Sequence, residues 1–326
     1  MDRSQYETCH FIFVLTEGFS QSSLSNSMAV LNTCNRILKR QAYSWSLISE
    51  TGDAVTSSCG VPIAVSSGLY PVKRQDFIVL LSSADNPQLQ SKTLVNWVRR
   101  ESMKRPRIAA LDTATYILAA AGLLNNQKCT LHWESQDAFK ECYPDIDLVN
   151  QIYTTERSIF TCAGGTAAMD MMLHIAEEDH DGETARDIAD HLIYVSSRSQ
   201  DDRQRISLTG RFGIRNARLA DAINHMENNL EFPLTPAELA AKINVSVRQL
   251  ERIFSRYMDC PPKRFYMTLR LEKARRLIAQ TDMSLINISM ACGFTSTSHF
   301  SRWYKRHYGM QPSKSDSFTN RKTLAA

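Results

Sequence analysis

Residues 107–124, RIAALDTATYILAAAGLL, place a carboxylate between a short apolar run and a helical pattern. Residues 108–111 predict a strand, and residues 113–124 carry Ala and Leu at helical spacing. Asp112 occupies the sharp turn between them, where many α/β enzymes hold a catalytic nucleophile. Its carboxylate is able to take part in catalysis, to bind a ligand or to cap the helix that follows.

Three further residues with chemical potential, His132, Trp133 and Glu134, follow within the same region. A carboxylate, an aromatic face and a second carboxylate suit a cationic nitrogen, such as a guanidinium or a quaternary ammonium group. Ligands bind at the carboxyl ends of strands in open α/β folds, and a helix N-terminus is expected to keep Asp112 anionic. We therefore predict a ligand-binding group made of Asp112, Thr113, His132, Trp133 and Glu134.

Each of these residues also has a structural interpretation. Asp112 is equally well explained as a residue that only caps the helix, and Trp133 as a residue that packs in the core. A structural, hydrogen-bonded role explains His132 at least as well as a role as a catalytic base does. No nearby Cys or Ser forms a convincing pair with it. These alternatives remain open at the level of sequence.

The elements around these residues alternate between strand and helix patterns. This order predicts an α/β sandwich with a mostly parallel sheet covered by helices. The predicted strands are residues 10–15, 45–49, 77–81, 108–111, 147–153 and 158–162, and the predicted helices are residues 24–38, 89–103, 113–124 and 166–177.

The charge changes sign along the 326 residues. Residues 1–204 hold 18 Lys and Arg against 25 Asp and Glu, whereas residues 205–326 hold 20 against 9. The polar, Ser- and Arg-rich residues 196–213 lie at this change, which predicts a domain of residues 1–200, a linker of residues 201–215 and a basic domain of residues 216–316 with a tail of residues 317–326. A basic domain of this size indicates a polyanionic partner, with DNA as the first candidate.

The remaining composition indicates a cytoplasmic protein without a membrane partner. The N-terminus lacks the apolar core of a signal peptide, and no apolar stretch is long enough to span a bilayer. The eight cysteines are scattered, with no Cys-x-x-Cys pair and no His at zinc spacing, so we predict reduced thiols and neither a metal nor a cofactor.

The basic domain contains an internal repeat that predicts two helix-turn-helix units, residues 235–256 and 284–306. SVRQLERIFSRYMDCPP begins at Ser246, and STSHFSRWYKRHYGMQP begins at Ser296. Each copy predicts a helix with an aromatic and aliphatic back and a polar, cationic front, which suits the DNA major groove. Thr235, followed by Pro236 and Glu238, predicts the capped start of the first unit.

This domain resembles the AraC/XylS-type DNA-binding domain through SVRQLERIFSRY, RLEKARRLI and ACGFTSTSHFSRWYKRHYGMQPSK. The resemblance implies a bacterial transcription factor with two helix-turn-helix units. Arg252 and Arg302 are equally able to hold phosphates or to pair with acids, since phosphate contacts outnumber base contacts. The predicted DNA-contacting residues, groove-facing by family position or by their polar face, are Arg248, Glu251, Arg252, Arg256, Thr297, Ser298, Arg302 and Lys305.

The N-terminal domain resembles the class I glutamine amidotransferase-like fold in its PfpI branch. RIAALDTATYILAAAGLLNNQKCTLHWES and FTCAGGTAAMDMMLHI match the AraC-type regulators that carry this domain, in the GlxA-like branch, and are most similar to regulators of arginine, carnitine and glycine betaine catabolism. In the enzymes of the fold, a Cys stands where this chain has Asp112, and their partner acid falls near Ser22 or Ser23, with Glu17 in a different register. Both departures argue against catalysis.

We therefore predict a ligand-responsive transcriptional activator that is not an enzyme. Its expected partners are promoter DNA, a small nitrogenous effector, RNA polymerase and a second copy of the chain. One alternative is an amidase- or peptidase-like enzyme fused to a DNA-binding domain. Another is a regulator whose N-terminal domain only dimerises.

Overall fold

A computed structural model describes residues 8–83, 91–194, 198–200, 202, 204 and 216–315. The chain divides into two compact units, Met1–Gln204 and Arg205–Ala326. Most of the predicted linker of residues 201–215, and the predicted tail of residues 317–326, lie outside the described residues.

The first unit alternates strands with helices. Its strands are Cys9–Leu15 (β1), Tyr43–Ile48 (β2), Val55–Thr56 (β3), Pro62–Ile63 (β4), Phe77–Ser82 (β5), Arg107–Asp112 (β6), Lys128–Cys129 (β7), Asp147–Leu148 (β8), Tyr153–Glu156 (β9) and Ile159–Cys162 (β10). Its helices are Gln21–Leu38 (α1), Lys92–Ser102 (α2), Thr115–Ala120 (α3), Gln136–Cys142 (α4), Ala167–Asp179 (α5) and Gly182–His191 (α6).

A six-stranded sheet with the order β2-β1-β5-β6-β10-β9 forms the centre of this unit. All of its neighbouring pairs are parallel except β9, which runs antiparallel to β10 at one edge. The prediction of a mostly parallel α/β sheet is therefore confirmed. The carboxyl ends of the parallel strands lie at one edge of the sheet, where Asp112 ends β6.

Two apolar layers cover the sheet because successive strand residues point to opposite faces. In β5, Phe77 and Val79 pack with α1, α5 and α6, whereas Ile78 and Leu80 pack with α2 and α3. All four side chains are fully buried. Burial on both faces explains why β5 is a continuous apolar run and not an alternating one.

Two predicted elements differ from the structure. The predicted helix of residues 113–124 is only Thr115–Ala120, because Asp112 adopts a left-handed φ of 63° before it and Gly122 a φ of 76° after it. The predicted strand of residues 147–153 is two separate strands, β8 and β9, which belong to different sheets. The apolar pattern of residues 147–153 does not indicate that the chain passes from one sheet to another between β8 and β9.

The second unit is helical over its described residues. Its helices are Ala217–Glu227 (α7), Pro236–Lys242 (α8), Val247–Met258 (α9), Pro262–Gln280 (α10), Leu285–Ala291 (α11) and Thr297–Tyr308 (α12). Helices α8 and α9 form the first helix-turn-helix pair, and α11 and α12 form the second. The long helix α10 connects the pairs and contacts α9, α11 and α12.

Local hydrogen bonds fix where the helices of the first pair begin. Thr235 and Glu238 form a reciprocal capping box at α8, with Pro236 at its first position. Ser246 and Gln249 form a second capping box at α9. Asn244, with a φ of 53°, makes the turn between the two helices. Among the described helices of both units, none combines the length and the apolarity needed to cross a membrane.

Candidate ligand site and nucleic-acid interface

Asp112 lies in a strained turn at the carboxyl end of β6. Its φ of 63° places a residue other than glycine in the left-handed region, and it lies beside Ser82 at the end of β5. It does not cap α3, because Ala114 occupies the cap position and no side chain caps that helix. Its carboxyl group instead accepts hydrogen bonds from the Ser83 side chain and from the backbone N–H of Thr113.

Burial decides the charge of Asp112. The residue is 8% exposed, and this burial raises the pKa of its carboxyl group from 3.8 to about 7. The hydroxyl of Ser83 donates a hydrogen bond that opposes the rise, and the negative charge of Glu134 adds to it. The carboxyl group is therefore only partly ionised at neutral pH, which differs from the stably anionic Asp112 expected at a helix N-terminus.

A cavity of about 300 Å³ opens beside Asp112 at the carboxyl ends of the strands. It combines residues from the start of α1, the turn after β6, the segment before α4, the glycine turn after β10 and the end of the unit. The lining residues are Ser20, Ser22, Asp112, His132, Trp133, Ile152, Ala163, Gly164, Gly165, Thr166, Ala167, Arg198 and Gln204.

The predicted ligand residues divide into two groups. Asp112, His132 and Trp133 line the cavity, whereas Thr113 and Glu134 do not. Thr113 is buried and its hydroxyl donates a 3.4 Å hydrogen bond to the hydroxyl of Ser82, and Glu134 is exposed. Trp133 is only half-buried, so it is not a core residue of the unit.

His132 lies between the cavity and Glu134. Its Nδ1 is 3.8 Å from the Glu134 carboxylate, and its ring centroid is 5.8 Å from that of Trp133. Burial lowers the pKa of His132, which favours the neutral imidazole, although Glu134 opposes this shift. A neutral imidazole is able to donate to or accept from a ligand without repelling a cation.

Two glycines shape the wall opposite Asp112. A Cβ atom on Gly164 would lie 3.0 Å from both the Cβ and the Oδ2 of Asp112, so only glycine allows this approach. The N–H of Gly165 donates a 2.7 Å hydrogen bond to Ser23, and its carbonyl accepts from Asn26. The start of α1 and the turn after β10 are therefore held together at the cavity.

Sequence reasoning missed Arg198 and Gln204. Both come from the polar residues 196–213 at the predicted domain boundary, and nothing in their local pattern distinguishes them from solvated residues. Arg198 forms an ion pair of 2.8 Å with the fully buried carboxylate of Asp170 on α5. The only available signal was the unusual Asp170 within the apolar face of that helix.

Helix α9 presents a packed back and a cationic front. Leu250 and Phe254 are fully buried in the core of the second unit, with Ile253 and Tyr257 packed against it. The predicted DNA-contacting residues of this helix, Arg248, Glu251, Arg252 and Arg256, are all exposed. Within residues 216–315, neither Arg248 nor Arg252 takes part in an ion pair, so their guanidinium groups are available.

Helix α12 repeats this arrangement. Phe300 and Tyr304 are buried, whereas Ser298, Arg302 and Lys305 are exposed and Thr297 is half-buried. Trp303 is half-buried and donates a 2.9 Å hydrogen bond to the ring of His299.

The turn of the second pair is fastened to the connecting helix. Arg270 of α10 donates hydrogen bonds of 2.7 Å and 2.6 Å to the carbonyls of Cys292 and Gly293, and its guanidinium stacks 4.2 Å above the ring of Phe294. Gly293 has a φ of 71°, and a Cβ there would lie 2.6 Å from the carbonyl oxygen of Leu230. Helix α12 is thus positioned from both sides of its turn.

Comparison with known proteins identifies both units. Residues 11–178 match the DJ-1/PfpI family, and residues 239–316 match the family described as a helix-turn-helix domain. The HTH-type transcriptional regulator CdhR of Pseudomonas aeruginosa is 36% identical over 304 residues, which cover 93% of this chain and 90% of CdhR. The HTH-type transcriptional regulator GlxA of Rhizobium meliloti is 30% identical over 302 residues, which cover 92% of this chain and 93% of GlxA.

The chain belongs to the AraC-type transcriptional regulators that carry a DJ-1/PfpI domain. The predicted family, fold class and function as a ligand-responsive DNA-binding regulator are thereby confirmed. A crystal structure of an AraC family transcriptional regulator from Pseudomonas putida shares the fold, with a TM-score of 0.53 at 24% identity over 56% of this chain and 99% of its own.

The turn after β6 of this AraC-type regulator lacks the parts of a nucleophilic catalyst. None of the described residues that line the cavity is a cysteine, and desolvation of the fully buried Cys162 raises the pKa of its thiol to about 12, so this thiol is protonated. The hydroxyl of Ser20 is engaged with Ser22 and Ser23 at the start of α1. Within the described residues, His132 makes no hydrogen bond to a Ser or a Cys.

Proposed function

We propose that this AraC-type regulator senses a small metabolite with a cationic nitrogen, bound in the cavity beside Asp112. The observation that carries the proposal is the convergence of Asp112, His132 and Trp133 on one cavity of about 300 Å³. That volume lies at the lower end of the range for small-molecule sites, so it suits a metabolite of a few carbon atoms.

The chemistry of the three side chains favours a cation. A cationic ligand stabilises the ionised form of Asp112 and lowers the pKa of its carboxyl group, which offsets the rise in pKa caused by burial. The half-buried indole of Trp133 offers an aromatic face to an ammonium or guanidinium group. His132, held neutral by burial, adds no opposing charge.

The protein acts on transcription and not on a substrate. The strand-to-helix turn carries a carboxyl group that burial keeps largely protonated below about pH 7, and the described residues that line the cavity include neither a thiol nor a hydroxyl activated by a base. DNA is bound by the exposed fronts of α9 and α12, in the cytoplasm where promoter DNA is accessible. The protein works as a homodimer that activates RNA polymerase when the effector changes the placement of its DNA-binding units.

Thermal unfolding of the full-length protein with a panel of nitrogenous metabolites, among them glycine betaine, carnitine and L-arginine, tests the proposal. A ligand at a hundred times its Kd stabilises the folded state by about 2.7 kcal/mol, which gives a visible shift. Asp112→Asn keeps the shape and tolerates the left-handed turn but removes the charge, so it should abolish the shift and blunt induction in a promoter reporter. A panel without any stabilising compound, or an Asp112→Asn variant with normal induction, contradicts the proposal.

A further inference from the structure

Three residues at the end of the first unit, Tyr194, Arg198 and Gln204, are fastened to its core; we name them the terminal anchors. The Tyr194 hydroxyl donates a 2.9 Å hydrogen bond to Oδ1 of Asp170. Arg198 donates to the same carboxylate from its backbone N–H at 2.7 Å, from Nε at 3.0 Å and from Nη2 at 2.8 Å. Both residues therefore share one buried acceptor on α5.

Asp170 receives these donors from within the buried face of α5. Its side chain is completely buried, and all of its hydrogen bonds among the described residues come from Tyr194 and Arg198. An ionised carboxylate in such a place is strongly unfavourable without its partner. The burial of Asp170 thus commits the end of the unit to this position.

Gln204 is fastened at a second point. Its Nε2 lies 2.9 Å from each of three acceptors, which are the hydroxyl of Thr130 and the carbonyls of Leu131 and Gln151. Its Oε1 is buried and has no hydrogen-bond partner among the described residues. A buried acceptor without a donor is costly, so a donor supplied by a bound molecule would be favourable there.

Arg198 and Gln204 also line the cavity that holds Asp112. The guanidinium of Arg198 donates from Nε and Nη2 to Asp170 and from Nη2 to Thr166, and its side chain is 32% exposed. A partly exposed guanidinium in the lining of a cavity is able to receive a carboxylate or another anion. The cavity therefore has an anion-binding side in addition to the side formed by Asp112 and Trp133.

We propose that Arg198 and Gln204 bind the effector directly, with Arg198 receiving an anionic group. This inference rests on the proposed function, and it makes the effector a zwitterion whose cationic nitrogen lies toward Asp112 and whose carboxylate lies toward Arg198. Gln204 is the last residue of the first unit, and residues 205–215 connect it to the DNA-binding unit. The effector thus tightens the attachment of the chain that leads directly to that unit.

Matched ligand pairs on the full-length protein test the anion side. Each zwitterion in a panel is compared with an analogue that lacks its carboxylate, such as glycine betaine with choline and L-arginine with agmatine. Binding is followed by thermal unfolding, and hydrogen exchange is measured on peptides that span residues 194–204. We expect at least one zwitterion to stabilise the protein and slow this exchange, and its analogue to bind about tenfold or more weakly.

Variants of the same protein locate the effect. Arg198→Gln should weaken the zwitterion by about tenfold or more and remove the preference over its analogue. Arg186→Gln, an identical change at an exposed position of α6, should alter neither. Arg198→Gln alone leaves the buried carboxylate of Asp170 without its charged partner, which disfavours folding. If the single variant fails to fold, the double variant Asp170→Asn with Arg198→Gln takes its place, because it removes both charges.

The possible results separate the two proposals. A zwitterion and its analogue that bind equally, or binding that leaves exchange of residues 194–204 unchanged, overturn the role of the anchors while the proposed effector site stands. Undiminished binding to the Arg198→Gln variant has the same meaning. A panel in which no compound binds the wild-type protein overturns the nitrogenous effector and the anchor role together.

Discussion

Arg198 donates three hydrogen bonds to the carboxylate of Asp170, which lies 28 residues earlier and is completely buried. The contact joins the end of the first unit to α5, and Arg198 also lines the cavity beside Asp112. The guanidinium of Arg198 therefore takes part both in a stabilising ion pair and in the lining of the cavity. Changes at Asp170 should for this reason affect both stability and effector response.

Asp170→Asn should destabilise the first unit by about 2–4 kcal/mol, because it leaves Arg198 without its charged acceptor. The figure is lower than for a wholly buried pair, since the Arg198 side chain is 32% exposed. Calorimetric unfolding of the full-length protein measures the change. Glu178→Gln on the same helix removes a carboxylate that is 47% exposed and 3.3 Å from His174, and it should change stability by less than about 1 kcal/mol. Equal losses of stability in the two variants would show that Asp170 does not hold the terminal anchors in place.

Asp112→Asn should stabilise the protein above neutral pH. The carboxyl pKa is 3.8 when unfolded and about 7 when folded, so the folded state binds more protons between these values and loses stability as pH rises from about 4 to 7. The asparagine variant lacks this loss. Its advantage should be absent below about pH 4 and greatest above pH 7, where the shift corresponds to roughly 4 kcal/mol at 1.36 kcal/mol per unit.

Unfolding free energies measured from pH 4 to pH 8 check this prediction. Asp181→Asn is the matched control, because hydrogen bonds from Thr184 at the start of α6 lower the pKa of Asp181. A lowered pKa stabilises the folded state above the unfolded value, so this variant should gain nothing at pH 8. A flat difference between wild type and Asp112→Asn across the range would mean that Asp112 is ionised in the folded protein.

Local and long-range features of this chain differ in how well the sequence predicts them. The capping boxes of Thr235 with Glu238 and of Ser246 with Gln249 bring together residues three positions apart, so their patterns are visible in a short stretch. The sharp turn at Asp112 was visible for the same reason. Its raised pKa was not, since it arises from burial by elements far apart in the chain.

The anion side of the cavity had only an indirect sequence signal, which was the acidic Asp170 within the apolar face of α5. Gln204 contacts residues 53 to 74 positions earlier, and Arg198 contacts a helix that begins 31 positions earlier. Polar residues in a Ser- and Arg-rich stretch are ordinarily solvated, so local composition indicated a linker. Only the fold shows that two of them return to the cavity.

Gly164→Ala should impair effector response more than Gly165→Ala does. Both residues have a positive φ, 84° and 60°, so each substitution should cost about 1–2 kcal/mol of stability through backbone strain. Only at Gly164 would the new Cβ press on the Asp112 carboxyl group at 3.0 Å, whereas at Gly165 nothing lies within 4 Å. Reporter induction corrected for protein abundance measures the difference. Similar induction in the two variants would exclude a contact between the effector and the Asp112 carboxyl group.

Arg252→Ala and Arg302→Ala should each weaken promoter binding by about 1–3 kcal/mol if the side chains contact bases. Both residues are exposed on the front of their helices, and within residues 216–315 neither is engaged by an acidic side chain. Arg218→Ala is the control, because Arg218 is exposed on α7, outside both helix-turn-helix pairs, and its loss should change binding little.

Gel-shift titrations at several salt concentrations separate base contacts from phosphate contacts for these two arginines. Loss of a phosphate contact weakens all DNA sequences equally and reduces the slope of log K against log salt by about 1. Loss of a base contact instead relaxes the preference at one position of the operator. Because Arg252 and Arg302 occupy equivalent places in α9 and α12, we expect the two positions to lie about one DNA turn apart. Unchanged affinity at fixed salt for both variants would remove these helices from the DNA interface.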